Sequence, residues 1–157
     1  MTTQPPSDKS SLPQFARRFV LVGGALMVGG AAARWYNASG RIEGAAVSVS
    51  DAHSAALSGQ ITLVDIRRPD EWALTGVGEG AIPIDMRDQD FIQQLLTHVQ
   101  NRNAPVALIC ARGGRSRHMT ARLTQAGFTN IIDVPEGMLG SGAGPGWLAA
   151  GLPVTRP

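Results

Sequence analysis

A chain of 157 residues that is 43% hydrophobic and 17% charged, with 19 Gly and 10 Pro, is long enough for one compact core and a short appendage. It is too apolar for a disordered chain and too irregular for a coiled coil or a collagen-like repeat. The formal charge of +2 is unevenly placed: five of the 14 basic residues (Lys9, Arg17, Arg18, Arg34, Arg41) and one acid, Asp8, precede Ile42, so the remainder is net acidic and lacks the basic face that nucleic-acid binding requires.

Residues 1–14 are polar, Arg17-Arg18 follow, and the run from Phe19 to Ala33 is uncharged and closed by Ala31-Ala32-Ala33 and Arg34. A basic start, an apolar run of about 7–15 residues and an A-x-A-like end are the parts of an export signal, whereas a membrane-spanning helix needs about 20 apolar residues. Gly23, Gly24, Gly29 and Gly30 keep the run only mildly hydrophobic, which together with the paired arginines resembles a twin-arginine signal. The match departs at Ala16 and at Phe19-Val20-Leu21. Residues 1–33 are therefore expected to be a signal peptide directing the protein to the periplasm. The alternative is an uncleaved anchor that holds it on the inner membrane, facing the periplasm, through residues 19–33. Residues 34–45 have no period and read as a tether.

From Ala45 onward short aliphatic runs alternate with helical stretches, the order of an α/β fold with a mainly parallel sheet. Val47–Val49 reads as a strand, Ser50 as the cap of a helix to about Leu57, and Ile61–Ile66 as a buried strand. Gly80–Ile84 is a second extended piece. Phe91, Ile92, Leu95, Leu96 and Val99 form the apolar stripe of a helix opened by Asp88 or Asp90 and ending near Asn103. Val106–Cys110 is an apolar strand, Ser116–Ala126 a helix with Gly127 beyond its end, and Ile131–Val134 the last strand. Gly137–Gly146 contains five glycines and Pro145 and reads as a loop too flexible to be core, before a last helical turn over Trp147–Ala150.

The chemistry concentrates at Cys110, the only cysteine. That count excludes an intrachain disulfide and a zinc site of three or four thiolates, and no metal or other cofactor is expected. In Leu108-Ile109-Cys110-Ala111-Arg112-Gly113-Gly114-Arg115-Ser116 the thiol sits at the C-terminal end of a strand, where open α/β sheets bind ligands, and a helix is expected five or six residues later. Gly113 and Gly114 allow the backbone N–H groups to turn inward as an anion nest, and the helix N-terminus adds positive charge. Such surroundings, with Arg112 and Arg115 nearby, favour a cysteine as the thiolate. A nucleophile already ionised needs no separate base, so His118 reads as a surface residue.

These residues resemble the rhodanese sulfurtransferase family. The loop matches that family's C-x-x-G-x-R-[ST] as Cys110, Gly113, Arg115 and Ser116. Upstream, Leu63-Val64-Asp65-Ile66-Arg67, Glu71-Trp72 and Gly80-Ala81-Ile82-Pro83 resemble its first signature; downstream, Glu136-Gly137, Trp147 and Gly151-Leu152-Pro153 resemble its closing segment. The resemblance covers residues 46–155 and implies a small three-layer fold with helices on both faces of the sheet. It implies transfer of a sulfane sulfur through a Cys110 persulfide, from a donor such as thiosulfate to an acceptor such as cyanide or a thiol. Arg112 falls where thiosulfate-using relatives carry a basic residue. Arg115 binds the donor or ties the loop to Asp65 or Glu71, and Asp65 and Arg67 are expected to pair beneath the loop. Two segments depart from the family pattern, Gly76-Val77-Gly78-Glu79 and the glycine-rich stretch before Trp147, and both are expected to border the site.

Two other readings compete. A cysteine phosphatase or arsenate reductase also opens an anion loop with cysteine, but uses C-x5-R, whereas Cys110 to Arg115 is C-x4-R. A persulfide carrier or anion-binding module without turnover of its own has the same loop.

Overall fold

The computed structural model describes Met1 and residues 46–156. Met1 apart, the expected leader over 1–33 and tether over 34–45 lie outside the described residues. Among the described residues no helix is long and apolar enough to cross a membrane. The elements run α1 (Val49–Leu57), β1 (Thr62–Asp65), α2 (Pro69–Thr75), β2 (Val77–Gly78), β3 (Ala81–Pro83), α3 (Phe91–His98), β4 (Val106–Ile109), α4 (Gly114–Gln125), β5 (Ile131–Val134), α5 (Gly146–Ala149) and β6 (Val154–Thr155).

Four strands form a parallel sheet in the order β3-β1-β4-β5. Side chains alternate across it with the period of two that a strand imposes. Val64, Val106, Leu108 and Cys110 join Phe91, Leu95, Met119 and Leu123 in one core cluster, under α3 and α4. Leu63, Ala107 and Ile109 join Val49, Ala52, Ala55 and Trp147 in a second, under α1 and α5. The sheet is thus buried on both faces, which explains why β4 is an unbroken apolar run with all four residues buried. Three layers result, as the resemblance implies.

The register makes the strands end level: Asp65 lies opposite Pro83 and Ile109, and Ile109 opposite Val134. The residues that follow, Ile66-Arg67, Ile84-Asp85, Cys110-Ala111 and Pro135-Glu136, therefore converge on one edge.

Several local expectations are corrected. The strand expected at Val47–Val49 is a single parallel bridge from Ala46 to Asp133, with Val47 N–H donating to Asp133 C=O at 2.9 Å. Ser48, not Ser50, caps α1: its extended backbone (φ −70°, ψ 162°) leaves its hydroxyl free to accept from Asp51 N–H at 3.1 Å. The helix expected to run to Asn103 stops at His98, because Val99 turns extended (φ −119°, ψ 145°) and is buried there. The strands at Ile61–Ile66, Gly80–Ile84 and Val106–Cys110 are each trimmed at the ends, and the last turn begins at Gly146 rather than Trp147. Three elements, α2, β2 and β6, went unanticipated. Pro69 at the first helical position and a capping box between Arg68 and Glu71 start α2, and the Gly76–Glu79 segment supplies β2, which pairs antiparallel with β6.

Candidate active site

Cys110 is the first residue beyond β4, and α4 begins four positions later at Gly114, earlier than the Ser116 start expected from sequence. The shift comes from Gly113, whose left-handed backbone (φ 80°) makes it the N-cap. A Cβ there would lie 2.4 Å from the Pro135 carbonyl oxygen, so only glycine closes the loop this tightly. The thiol is 1% exposed. Its Sγ accepts from Gly113 N–H at 3.2 Å and lies 3.7 Å from Ser116 Oγ, which donates to Gly113 C=O at 3.0 Å. The N–H groups of Ala111, Arg112, Gly114, Arg115 and Ser116 have no acceptor among the described residues. The sulfur therefore sits at the N-terminus of α4 beside a row of free donors, an arrangement that favours negative charge.

The loop's charged residues divide by role. Arg115 donates from Nη1 and Nη2 to the two carboxylate oxygens of Glu71, each at 2.6 Å, a bidentate charge-assisted pair. Of the two partners expected for it, Glu71 is the one observed. Chiefly because of this pair, the Glu71 carboxyl titrates at about 2, well below its ordinary range, and the Arg115 guanidinium is held more basic. Arg112 is exposed and, among the described residues, donates only to the Gly140 carbonyl, at 3.3 Å. His118 is exposed on α4.

Asp65 and Arg67 form the expected buried pair, 0% and 1% exposed. Arg67 Nε donates to both Asp65 oxygens at 2.9 and 3.0 Å, Nη2 to Asp65 at 2.6 Å and to Gly76 C=O at 2.6 Å, and Nη1 to Thr75 Oγ1 at 2.7 Å and Glu71 C=O at 3.4 Å. The pair thus binds β1 to the end of α2, and α2 presents Glu71 to the loop. Its support of Cys110 is indirect.

The Gly137–Gly146 segment overturns the expectation of a loop too flexible to be core. Gly137, Gly140 and Gly146 are buried. Met138 N–H donates to Cys110 C=O and Leu139 N–H to Ala111 C=O, both at 2.9 Å. Gly137 (φ 69°) approaches so closely that a Cβ would lie 2.5 Å from the Ala111 carbonyl oxygen. This strap lies along the Cys110 loop, as a segment expected to border the site would. The Gly76–Glu79 segment instead packs on β6, Trp147 and α1: a Cβ on Gly78 would lie 2.7 Å from the Trp147 ring, and Glu79 pairs with His53 at 2.9 Å.

Residues 48–141 match the rhodanese-like domain. The chain belongs to the rhodanese-like sulfurtransferase family. It is 34% identical over 117 residues to thiosulfate sulfurtransferase 16, chloroplastic, of Arabidopsis thaliana, across 68% of this chain and 89% of that protein. Its fold is similar to the polysulfide-sulfur transferase homodimer of Wolinella succinogenes, with TM-score 0.56 and 22% identity over 80% of this chain and 88% of that one. It also resembles a rhodanese-related protein of Thermoplasma volcanium, with TM-score 0.53 and 26% identity over 71% of this chain and 98% of that one.

Among the described residues of this rhodanese-like domain, no group of three His, Cys, Asp or Glu side chains is placed to hold a metal ion. A surface depression of about 470 Å³, lined in part by Gln60, Thr62, His98 and Pro105, opens at the opposite edge of the sheet, where β1 and β4 begin. Sequence reasoning missed two features at the edge that carries Cys110. One is Asp85–Arg87, a second Asp-x-Arg pair, whose repeat of Asp65-Ile66-Arg67 is visible in the sequence. The other is the role of Glu136, named in the closing segment but not as a site residue; it is 7% exposed and one of only two charged residues between Ile131 and Ala150.

Proposed function

We propose that this protein transfers a sulfane sulfur from an anionic donor of the thiosulfate type to a thiophilic acceptor, cyanide or a thiol, through a persulfide on Cys110. The Cys110 thiolate attacks the outer sulfur of thiosulfate; the new S–S bond forms as the donor's S–S bond breaks, and sulfite leaves with that bonding pair. The persulfide's outer sulfur is then attacked by cyanide, which leaves as thiocyanate and returns the thiolate. Sulfur and charge balance in each step, and no added oxidant is required. The loop amides flanking Cys110 stabilise the charge that moves onto the outer sulfur, and Arg112 at the rim meets the donor's sulfonate.

The observation that carries this reading is the buried Cys110 Sγ at the N-terminus of α4, with Gly113 N–H on it at 3.2 Å and five neighbouring N–H groups without an acceptor among the described residues. Two features weigh against a phosphatase or arsenate reductase. The loop is one residue shorter than C-x5-R, and the donors of Arg115 that would clasp a tetrahedral oxyanion are spent on Glu71. The leader sequence extends the reading to an exported protein working outside the reducing cytoplasm, either free in the periplasm or held at the inner membrane.

Intact mass of the full chain before and after thiosulfate, and again after cyanide, tests the chemistry. The expected result is a gain of about 32 Da, one sulfur, that cyanide removes. Cys110→Ser is expected to abolish both changes with the melting temperature retained. Residual transfer by that variant sinks the assignment. Loading that cyanide fails to remove identifies a carrier whose acceptor is a specific thiol.

A further inference from the structure

We infer that Glu136 is a positioning residue for sulfur transfer, acting through the strap that sets the orientation of the Cys110 loop; the inference rests on the persulfide reading above. Glu136 follows β5 and is 7% exposed. Burying a carboxylate costs several kcal/mol unless hydrogen bonds replace its water, and here both oxygens are used. Oε1 accepts from Val49 N–H at 3.1 Å, the first residue of α1, and Oε2 accepts from Gly146 N–H at 3.2 Å. The helix N-terminus adds favourable charge. One side chain thus joins the end of β5, the start of α1 and the far end of the Gly137–Gly146 strap.

The strap is anchored along its length. Trp147 N–H donates to Gly137 C=O at 3.0 Å, Leu148 N–H to Met138 C=O at 3.1 Å, and Ser141 Oγ to Pro135 C=O at 2.7 Å. Its Met138 and Leu139 N–H groups hold the carbonyls of Cys110 and Ala111, both at 2.9 Å. In a trans peptide the C=O and the following N–H point in opposite directions. Fixing the Cys110 carbonyl on the strap therefore turns the Ala111 N–H away from it, and fixing the Ala111 carbonyl does the same for the Arg112 N–H. Those amides have no acceptor among the described residues, which leaves them to the sulfur carried on Cys110. Glu136 touches no reacting atom. Its effect passes through Gly146 and the strap to two peptide planes.

Glu136→Gln is nearly isosteric but presents one acceptor and one donor, so one of the two N–H groups it serves loses its partner. Gly144→Ala disturbs the same carboxylate from the other side, because a Cβ there would lie 2.6 Å from Oε2. Both are compared with the wild-type full chain by single-turnover sulfur loading from thiosulfate, read by intact mass, and by steady-state transfer to cyanide, each below the melting temperature of all three proteins. Both variants are expected to load about 10–100-fold more slowly, in the range seen when an anion-stabilising donor is misplaced, with kcat lowered and KM for thiosulfate within about threefold of wild type. A merely structural role predicts a lower melting temperature with an unchanged loading rate per folded molecule. That result in either folded variant overturns the inference while leaving the persulfide reading intact. Absence of loading in the wild-type chain overturns both.

Discussion

Two neighbouring strands of the sheet end in the same device and use it differently. Asp65-Ile66-Arg67 begins on the last residue of β1 and Asp85-Met86-Arg87 follows β3. In each, the arginine backbone N–H donates to Oδ1 of the aspartate, at 3.1 and 3.0 Å, and the guanidinium forks onto the same carboxylate. The first pair is sealed, and Arg67 spends its remaining donors on Thr75, Gly76 and Glu71. In the second, the Arg87 side chain is 63% exposed and has no further protein acceptor among the described residues. Local spacing makes the fork. Burial decides whether the fork holds the fold together.

The largest effect should come from breaking the sealed pair. Arg67→Ala leaves the Asp65 carboxylate buried without its partner, and a loss of about 3–5 kcal/mol is expected in denaturant melts. Arg67→Lys sharpens the point: an ammonium group is a compact cation rather than a planar fork, and most of that loss should remain.

Next in size is the tether on the Cys110 loop. Glu71→Gln removes the charge from a two-point contact with Arg115 and should cost about 1.5–3 kcal/mol. The Glu71 carboxyl titrates at about 2 in the folded protein, below its unfolded value, so the folded state binds this proton less readily. Its contribution is therefore complete above the ordinary carboxylate range and is lost as pH falls toward about 2. Acid unfolding followed by circular dichroism should be less steep over that window in Glu71→Gln, and identical curves would remove Glu71 from the account.

The smallest effect belongs to the exposed pair. Arg87→Ala should change stability far less than Arg67→Ala, because water screens a solvated ion pair. The Asp85 carboxyl is held low chiefly by Arg87, so in the variant its titration, followed by carbon NMR, should move up. A loss as large as that of Arg67→Ala would erase the distinction between the pairs.

Much of this was readable along the chain. The alternation of apolar runs and helical stripes located α1, β1, β3, α3, β4, α4, β5 and α5, and Cys110 at a strand end before two glycines marked the candidate site. Element ends were harder, because a cap is a matter of one hydroxyl: Ser48 and Ser50 are equally suitable residues, and only the backbone turn before Val49 selects the first. The strap was misread because glycine carries two meanings. A run of glycines signals freedom when nothing lies close, and close packing when another backbone lies against it, as Ala111 lies against Gly137. Glu136 was read only as part of the closing segment, because Val49 and Gly146, the partners that give it a role, are brought to it by the fold.

The sequence by itself determined the alternation of strands and helices, the buried parallel strands and the place of the single thiol at a strand end, since these follow from hydrophobic period and glycine placement. Tertiary structure alone decided which charged groups serve the site. Arg115 becomes a tether because Glu71 reaches it across the fold, Arg67 becomes a brace because the donors it does not give to Asp65 meet Thr75 and Gly76, and the strap holds the loop because two carbonyls meet two amides contributed by another strand's end. Such contacts have no period and no fixed spacing, so they exist only once the strands have been brought level at one edge.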